Sequence, residues 1–162
     1  MPPHKRLVVR DRNARSRLLP LLREQVFHVS PLSRLAAIET SGAILCNRGG
    51  ALGDLYPQSR ISIARQRGYV CLFDLRQQGE DAIRDGLDCF GFPTAGRFGN
   101  GVACFILKPE ATAGVVIWND IRAELEIGAF HIPNVESWFP GDLPLSHVES
   151  IVCAELIRRR DA

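Results

Sequence analysis

The chain has 162 residues, 46% hydrophobic and 23% charged, with 20 lysines and arginines against 18 aspartates and glutamates. That length and balance suit one globular domain able to bury roughly 70% of its unfolded surface, and they exclude a disordered tail, a collagen-like fibre and a coiled coil. The net charge of +2 is too near neutral to demand a polyanionic partner, and no apolar run approaches the roughly 20 residues of a membrane-spanning helix.

Residues 1–24 form a basic segment, in which Lys5, Arg6, Arg10, Arg12, Arg15, Arg17 and Arg23 face only Asp11 and Glu24. Leu7-Val8-Val9 is too short for the apolar core of a signal peptide, so the expectation is a cytoplasmic protein with no membrane contact. Leu18, Leu19 and Leu22 would share one side of a helix over residues 11–23. Two readings stay open: a solvated surface helix, or a basic arm that touches nucleic-acid phosphates. Residues 25–162 are read as a single domain.

Residues 25–29 are a short β-rich run, and Ser30-Pro31 reads as an N-cap and a first helical residue. Leu32, Leu35, Ala36 and Ile38 repeat at helical spacing up to Gly42, a C-terminal stop. Residues 47–54 (NRGGALGD) are a glycine-rich loop without the spacing of either common phosphate-binding motif. Residues 69–73 are a strand of aromatic and branched residues. Residues 77–86 read as a polar helix or turn, and 88–101, with five glycines or prolines, as loop. Residues 102–107 are a buried strand. Residues 115–118, 125–131 and 135–139 are further strand candidates, and 151–157 a last strand before Arg158-Arg159-Arg160. Early helices followed by many strands, with no βαβ repeat, give an α+β fold.

The composition of charge is more telling than its sum. Only Lys5 and Lys108 are lysines, so 18 of the cations are arginines. Guanidinium forks match phosphate and carboxylate, which suits a nucleotide or nucleic-acid ligand, although codon bias gives the same count. Cys46, Cys71, Cys89, Cys104 and Cys153 are odd in number and scattered. They imply neither a disulfide framework nor a zinc site, and no metal is expected. Cys71, Cys104 and Cys153 lie in apolar runs and read as small core residues.

Two segments carry a more specific signal. Phe27-His28-Val29-Ser30, then Leu35, Ile38, Gly42 and Ile44, reads F-H-x-S-x4-L-x2-I-x3-G-x-I. Val135-Glu136-Ser137-Trp138-Phe139-Pro140-Gly141 is followed by Leu143-Pro144-Leu145 and Ile151. Together they resemble the opening and closing motifs of the ADP-ribosyltransferase superfamily, in its H-x-[ST] branch, and look most like the DarT-type toxins that modify DNA. Residues 61–65 and 69–73 look like that family's middle strands, without a plain pair of stacked tyrosines.

The resemblance implies two small, mostly antiparallel sheets forming an NAD cleft, with one or two helices near the N-terminus. It implies NAD as the substrate and ADP-ribose transfer to a macromolecular acceptor, nucleic acid slightly before protein. It further implies a toxin with an antitoxin or immunity partner. By the same resemblance Glu136 is the catalytic carboxylate, His28 holds a ribose hydroxyl and Ser30 supports the nicotinamide half. Tyr69 stacks on nicotinamide, with Tyr56 and Phe73 as rivals, and Arg65 or Arg60 meets phosphate. The alternatives are an NAD-dependent RNA 2′-phosphotransferase and a catalytically silent nucleotide- or nucleic-acid-binding module.

The residue types suit that chemistry. Nicotinamide is a cationic leaving group, so the enzyme must chiefly hold the dinucleotide and stabilise an oxocarbenium-like ribose, which a carboxylate can do. Among the acids, Glu124 and Glu126 alternate with apolar neighbours and should face solvent. Glu149 and Glu155 flank the last strand. Glu136 shares a face with Trp138 just before a Pro-Gly turn, where a cleft-lining role competes with that of an edge-strand charge that discourages aggregation. Residues 88–101 would be a mobile acceptor- or NAD-covering loop.

Overall fold

The run expected to be a buried strand forms the centre of the molecule. β5 (Gly101–Leu107) is buried at every position. Val102, Cys104 and Ile106 face one hydrophobic cluster, and Ala103, Phe105 and Leu107 face another. The two-residue period of a strand requires that alternation, and a strand covered on both faces is apolar throughout. The computed structural model describes residues 1–53, 57–124 and 130–158.

The remaining strands are β1 (His4–Arg10), β2 (Val26–Pro31), β3 (Ala43–Ile44), β4 (Tyr69–Asp74), β6 (Glu136–Pro140), β7 (Leu143–Pro144) and β8 (Val148–Ile157). Five of them join β5 in one mixed sheet in the order β1-β8-β5-β2-β4-β6, and β3 pairs with β7 in a small second sheet. Among the described strand pairs only β1–β8 is parallel. The molecule is therefore α+β, with a large mixed sheet beside a very small one.

The helices cover both faces. Helix α1 (Ala14–Leu22) buries Ala14, Leu18 and Leu22. It packs with α4 (Glu80–Phe90) and α5 (Ala95–Phe98) on the face that also holds Phe27, Cys104 and Val152. Helix α2 (Leu35–Ser41) lies with β3 and β7 on the opposite face, over Phe105, Ile151 and Cys153. A fully buried phenylalanine or leucine contributes about 2 kcal/mol from burial alone, and Phe27, Phe92, Phe105, Leu18 and Leu22 are all fully buried.

Several expectations need correction. The basic segment is not a free arm: residues 4–10 are the edge strand β1, in register with β8 from His4 opposite Ile151 to Arg10 opposite Ile157. Val9 and Leu7 anchor it to the core while Lys5, Arg6 and Arg10 stay exposed. Ser30 caps no helix, because its backbone still pairs with Ala103 inside β2. A 3₁₀ turn at Leu32–Arg34 separates that strand from α2, and no side chain caps it.

Residues 61–65 are not a strand. Ser62 accepts a hydrogen bond from the Arg65 N–H and caps α3 (Ile63–Arg67), which ends at Gly68 with φ of 68°. A serine cap and a left-handed terminal glycine outweigh the family resemblance that suggested a strand here. Residues 88–101 are not a mobile loop either. Helix α4 continues to Phe90, α5 follows, and Phe92, Ala95 and Phe98 are buried in the core.

Of residues 115–118 only Val116 bridges to a strand, at Trp138, before α6 (Trp118–Ile121) begins. The strand proposed at 125–131 falls largely on residues 125–129, outside the described residues; Phe130 bridges Ser62.

Candidate functional site

Strands β2 and β4 are neighbours in the sheet for only two residue pairs, Val26 opposite Asp74 and Phe27 opposite Phe73. Beyond Phe27 they separate, while β2 continues along β5 as far as Pro31 and β4 continues along β6 as far as Tyr69. The stacked rings of Phe27 and Phe73, 5.5 Å between centroids, close the joined end. The split leaves a cavity of about 470 Å³, a volume typical of small-molecule sites.

His28, Ser30, Arg65, Tyr69 and Glu136 all line this cavity. Strand β2, helix α3 and strands β4 and β6 thus bring together all five residues singled out in the sequence. Among the rivals, Phe73 lines the cavity but is 2% exposed, with one ring face on Phe27 and Phe90 set edge-on to it at 5.1 Å. Tyr69 is half-buried. Tyr56 and Glu126 lie outside the described residues, as does the side chain of Glu124. Arg60 is exposed and is not among the described residues that line the cavity, and Glu149 and Glu155 are exposed on β8.

His28 extends into the split. Its Nδ1 lies 2.8 Å from the Cys71 carbonyl oxygen. A carbonyl can only accept, so Nδ1 carries the proton and Nε2 is left as an acceptor. Burial drops its pKa to about 4 against the opposing effect of the Cys71 contact, so the ring is neutral at pH 7.

Glu136 is 8% exposed. Its Oε1 accepts from Trp138 Nε1 at 2.9 Å and from the Cys71 thiol at 2.8 Å, and its Oε2 accepts from the Ile132 N–H. The Trp138 contact follows from the strand period, which puts residues 136 and 138 on one face. Burial pushes the carboxyl pKa up while the three donors pull it down. A carboxylate offers about four acceptor positions; three are used, leaving one, on Oε2, for a ligand hydroxyl.

The rest of the wall was less visible in the sequence. Arg34, Arg97, Cys71 and Phe90 also line the cavity. Arg97 lies over the Phe90 ring at 4.2 Å and belongs to the segment read as loop. Cys71 sits between Tyr69 and Phe73 at strand spacing, a signal that could have placed it on the wall. Glu136 is the one acid among the described lining residues, against the three arginines Arg34, Arg65 and Arg97. That excess of guanidinium suits an anionic ligand.

Arg65 is set by the loop opposite it. Gly50, at φ of 80°, lies so close that an added Cβ would fall 2.1 Å from Arg65 Nη2. Among the described residues no group of three His, Cys, Asp or Glu side chains could hold a metal ion, and no helix is long and apolar enough to cross a membrane. Comparison with family models, with curated proteins and with solved structures finds no match to this chain.

Proposed function

We propose that the protein binds NAD in the split between β2 and β4 and transfers ADP-ribose to a macromolecular acceptor, with nucleic acid favoured over protein. The observation that carries this reading is the meeting of His28 and Glu136, distant in sequence, on one cavity wall whose other charged members are arginines. The fold that goes with it is ADP-ribosyltransferase-like. In its support, the two-pair junction divides the large sheet into a β1-β8-β5-β2 part and a β4-β6 part with a cleft between them.

In this reading His28 Nε2 accepts a hydrogen bond from a ribose hydroxyl, and the open position on Glu136 Oε2 accepts another. The C1′–N bond breaks with its electron pair leaving on nicotinamide. The buried carboxylate then stabilises the positive charge that develops at C1′, until the acceptor attacks and loses its proton. Arg34, Arg65 and Arg97 complement the pyrophosphate, Tyr69 offers its ring to the nicotinamide, and Ser30 lines the pocket beside it.

Purified protein is incubated with NAD, alone and with single-stranded DNA, RNA or protein acceptors, and nicotinamide release is measured. Glu136→Ala is expected to lower the rate by ~10²–10³-fold. Equal background release by wild type and variant overturns the catalytic assignment. NAD-dependent thermal stabilisation without release in either protein leaves a nucleotide-binding module instead; NAD at about 100 times its Kd should add roughly 2.7 kcal/mol.

A further inference from the structure

Cys71 touches both groups on which the site depends. Its carbonyl oxygen accepts from His28 Nδ1 at 2.8 Å, and its thiol lies 2.8 Å from Glu136 Oε1. The register explains both contacts. Continued pairing of β2 with β4 would set Cys71 opposite Val29, but the strands part after Phe27 and Phe73. The separation leaves the Cys71 carbonyl facing the split with no strand partner there, and the imidazole of His28 supplies the missing donor. On the other side Cys71 is paired with Trp138, and Phe73 with Glu136. The Cys71 side chain is therefore diagonal to Glu136 on the shared face, within reach of its carboxylate.

We propose that Cys71 is the positioning residue of this site, its carbonyl fixing the His28 ring and its thiol fixing the Glu136 carboxylate, so that one residue sets the separation of the two groups that meet the ligand. This rests on the reading of Glu136 and His28 given above. The thiol directs Oε1 towards Cys71 and Trp138 and leaves the open acceptor position on Oε2. Burial and the neighbouring Glu136 charge push the Cys71 pKa well above its ordinary value, which keeps the sulfur protonated as a donor. The role is positional, because Cys71 forms no bond to substrate.

The test uses the full chain with Cys71→Ala and Cys71→Ser, the second retaining a donor of similar size. Two readouts are taken. The first needs no NAD: the carboxyl carbon of Glu136 and the ring of His28 are followed by NMR against pH. Loss of the donor in Cys71→Ala should raise the Glu136 titration midpoint by about one pH unit, and Cys71→Ser should return it to the wild-type value or below. The second is nicotinamide release: Cys71→Ala should lower kcat at pH 7 by about tenfold with KM for NAD nearly unchanged, and Cys71→Ser should recover most of that loss.

A Glu136 midpoint that is the same in wild type and Cys71→Ala overturns the positioning role, whatever the activity. A loss in Cys71→Ala that Cys71→Ser does not recover does so too. A shifted midpoint with no nicotinamide release from wild type upholds the positioning and overturns the proposed reaction, so the two failures are separate.

Discussion

Replacing His28 by asparagine isolates the acid sensitivity that the split builds into the fold. The asparagine amide can still donate to the Cys71 carbonyl, but it takes up no proton. In the native protein the His28 pKa is depressed from 6.5 to about 4. Below pH 6.5 the unfolded chain therefore gains a proton that the folded one refuses until about pH 4. Stability from this group is fully present above 6.5, falls through that window and levels off below it. The slope approaches about 1.4 kcal/mol per pH unit, for a total loss of about 3 kcal/mol. Glu136 acts with the opposite sign, because its raised carboxyl pKa favours the folded state as pH falls, so the wild type alone shows only a sum. Urea denaturation of wild type and His28→Asn across pH 4–7.5 removes that shared contribution. The gap between the two stability curves should close by about 3 kcal/mol from pH 6.5 to 4. Parallel curves over the whole window would refute the buried neutral imidazole.

Two further substitutions test the frame around the site. Gly50→Ala adds a Cβ that would fall 2.1 Å from Arg65 Nη2, at a φ of 80° that side chains rarely adopt. The guanidinium must swing aside, so NAD-induced thermal stabilisation should shrink while the fold loses only about 1 kcal/mol; an unchanged NAD response would remove Arg65 from the binding surface. Phe92→Ala empties a fully buried position between Phe27, Phe73 and Phe98. Urea titration should show a loss of about 3–5 kcal/mol, whereas a mobile loop would lose almost nothing.

What the sequence showed depended on how locally each element is determined. The strand at Gly101–Leu107 was legible because covering both faces makes every position apolar. His28 and Glu136 were singled out through two short segments that resemble family motifs, and both line the cavity. The edge strand β1 was hidden: only Leu7 and Val9 are held against the core, the flanking cations Lys5, Arg6 and Arg10 mimic a solvated arm, and its partner strand is at the other end of the chain. The segment 88–101 misled through its glycines, whereas Phe90, Phe92 and Phe98, pointing inward, determine its structure. The role of Cys71 depends on where two strands part, which no local pattern encodes. Ser62 and Gly68 did carry a helix signal, and it was the resemblance to a family strand that obscured it.

The junction at Val26–Asp74 and Phe27–Phe73 is the whole of the pairing between β2 and β4. Its short length leaves the opening between His28 and Glu136 closed at one end by aromatic rings, of which Phe27 and Phe92 are fully buried and Phe73 lines the cavity. Repacking at Phe27 or Phe92 should therefore change the angle between β2 and β4, and with it the spacing of the polar groups further out along the split. On the proposed reading, ligand preference is open to tuning from the buried rings of Phe27 and Phe92, with the cavity-lining residues left as they are.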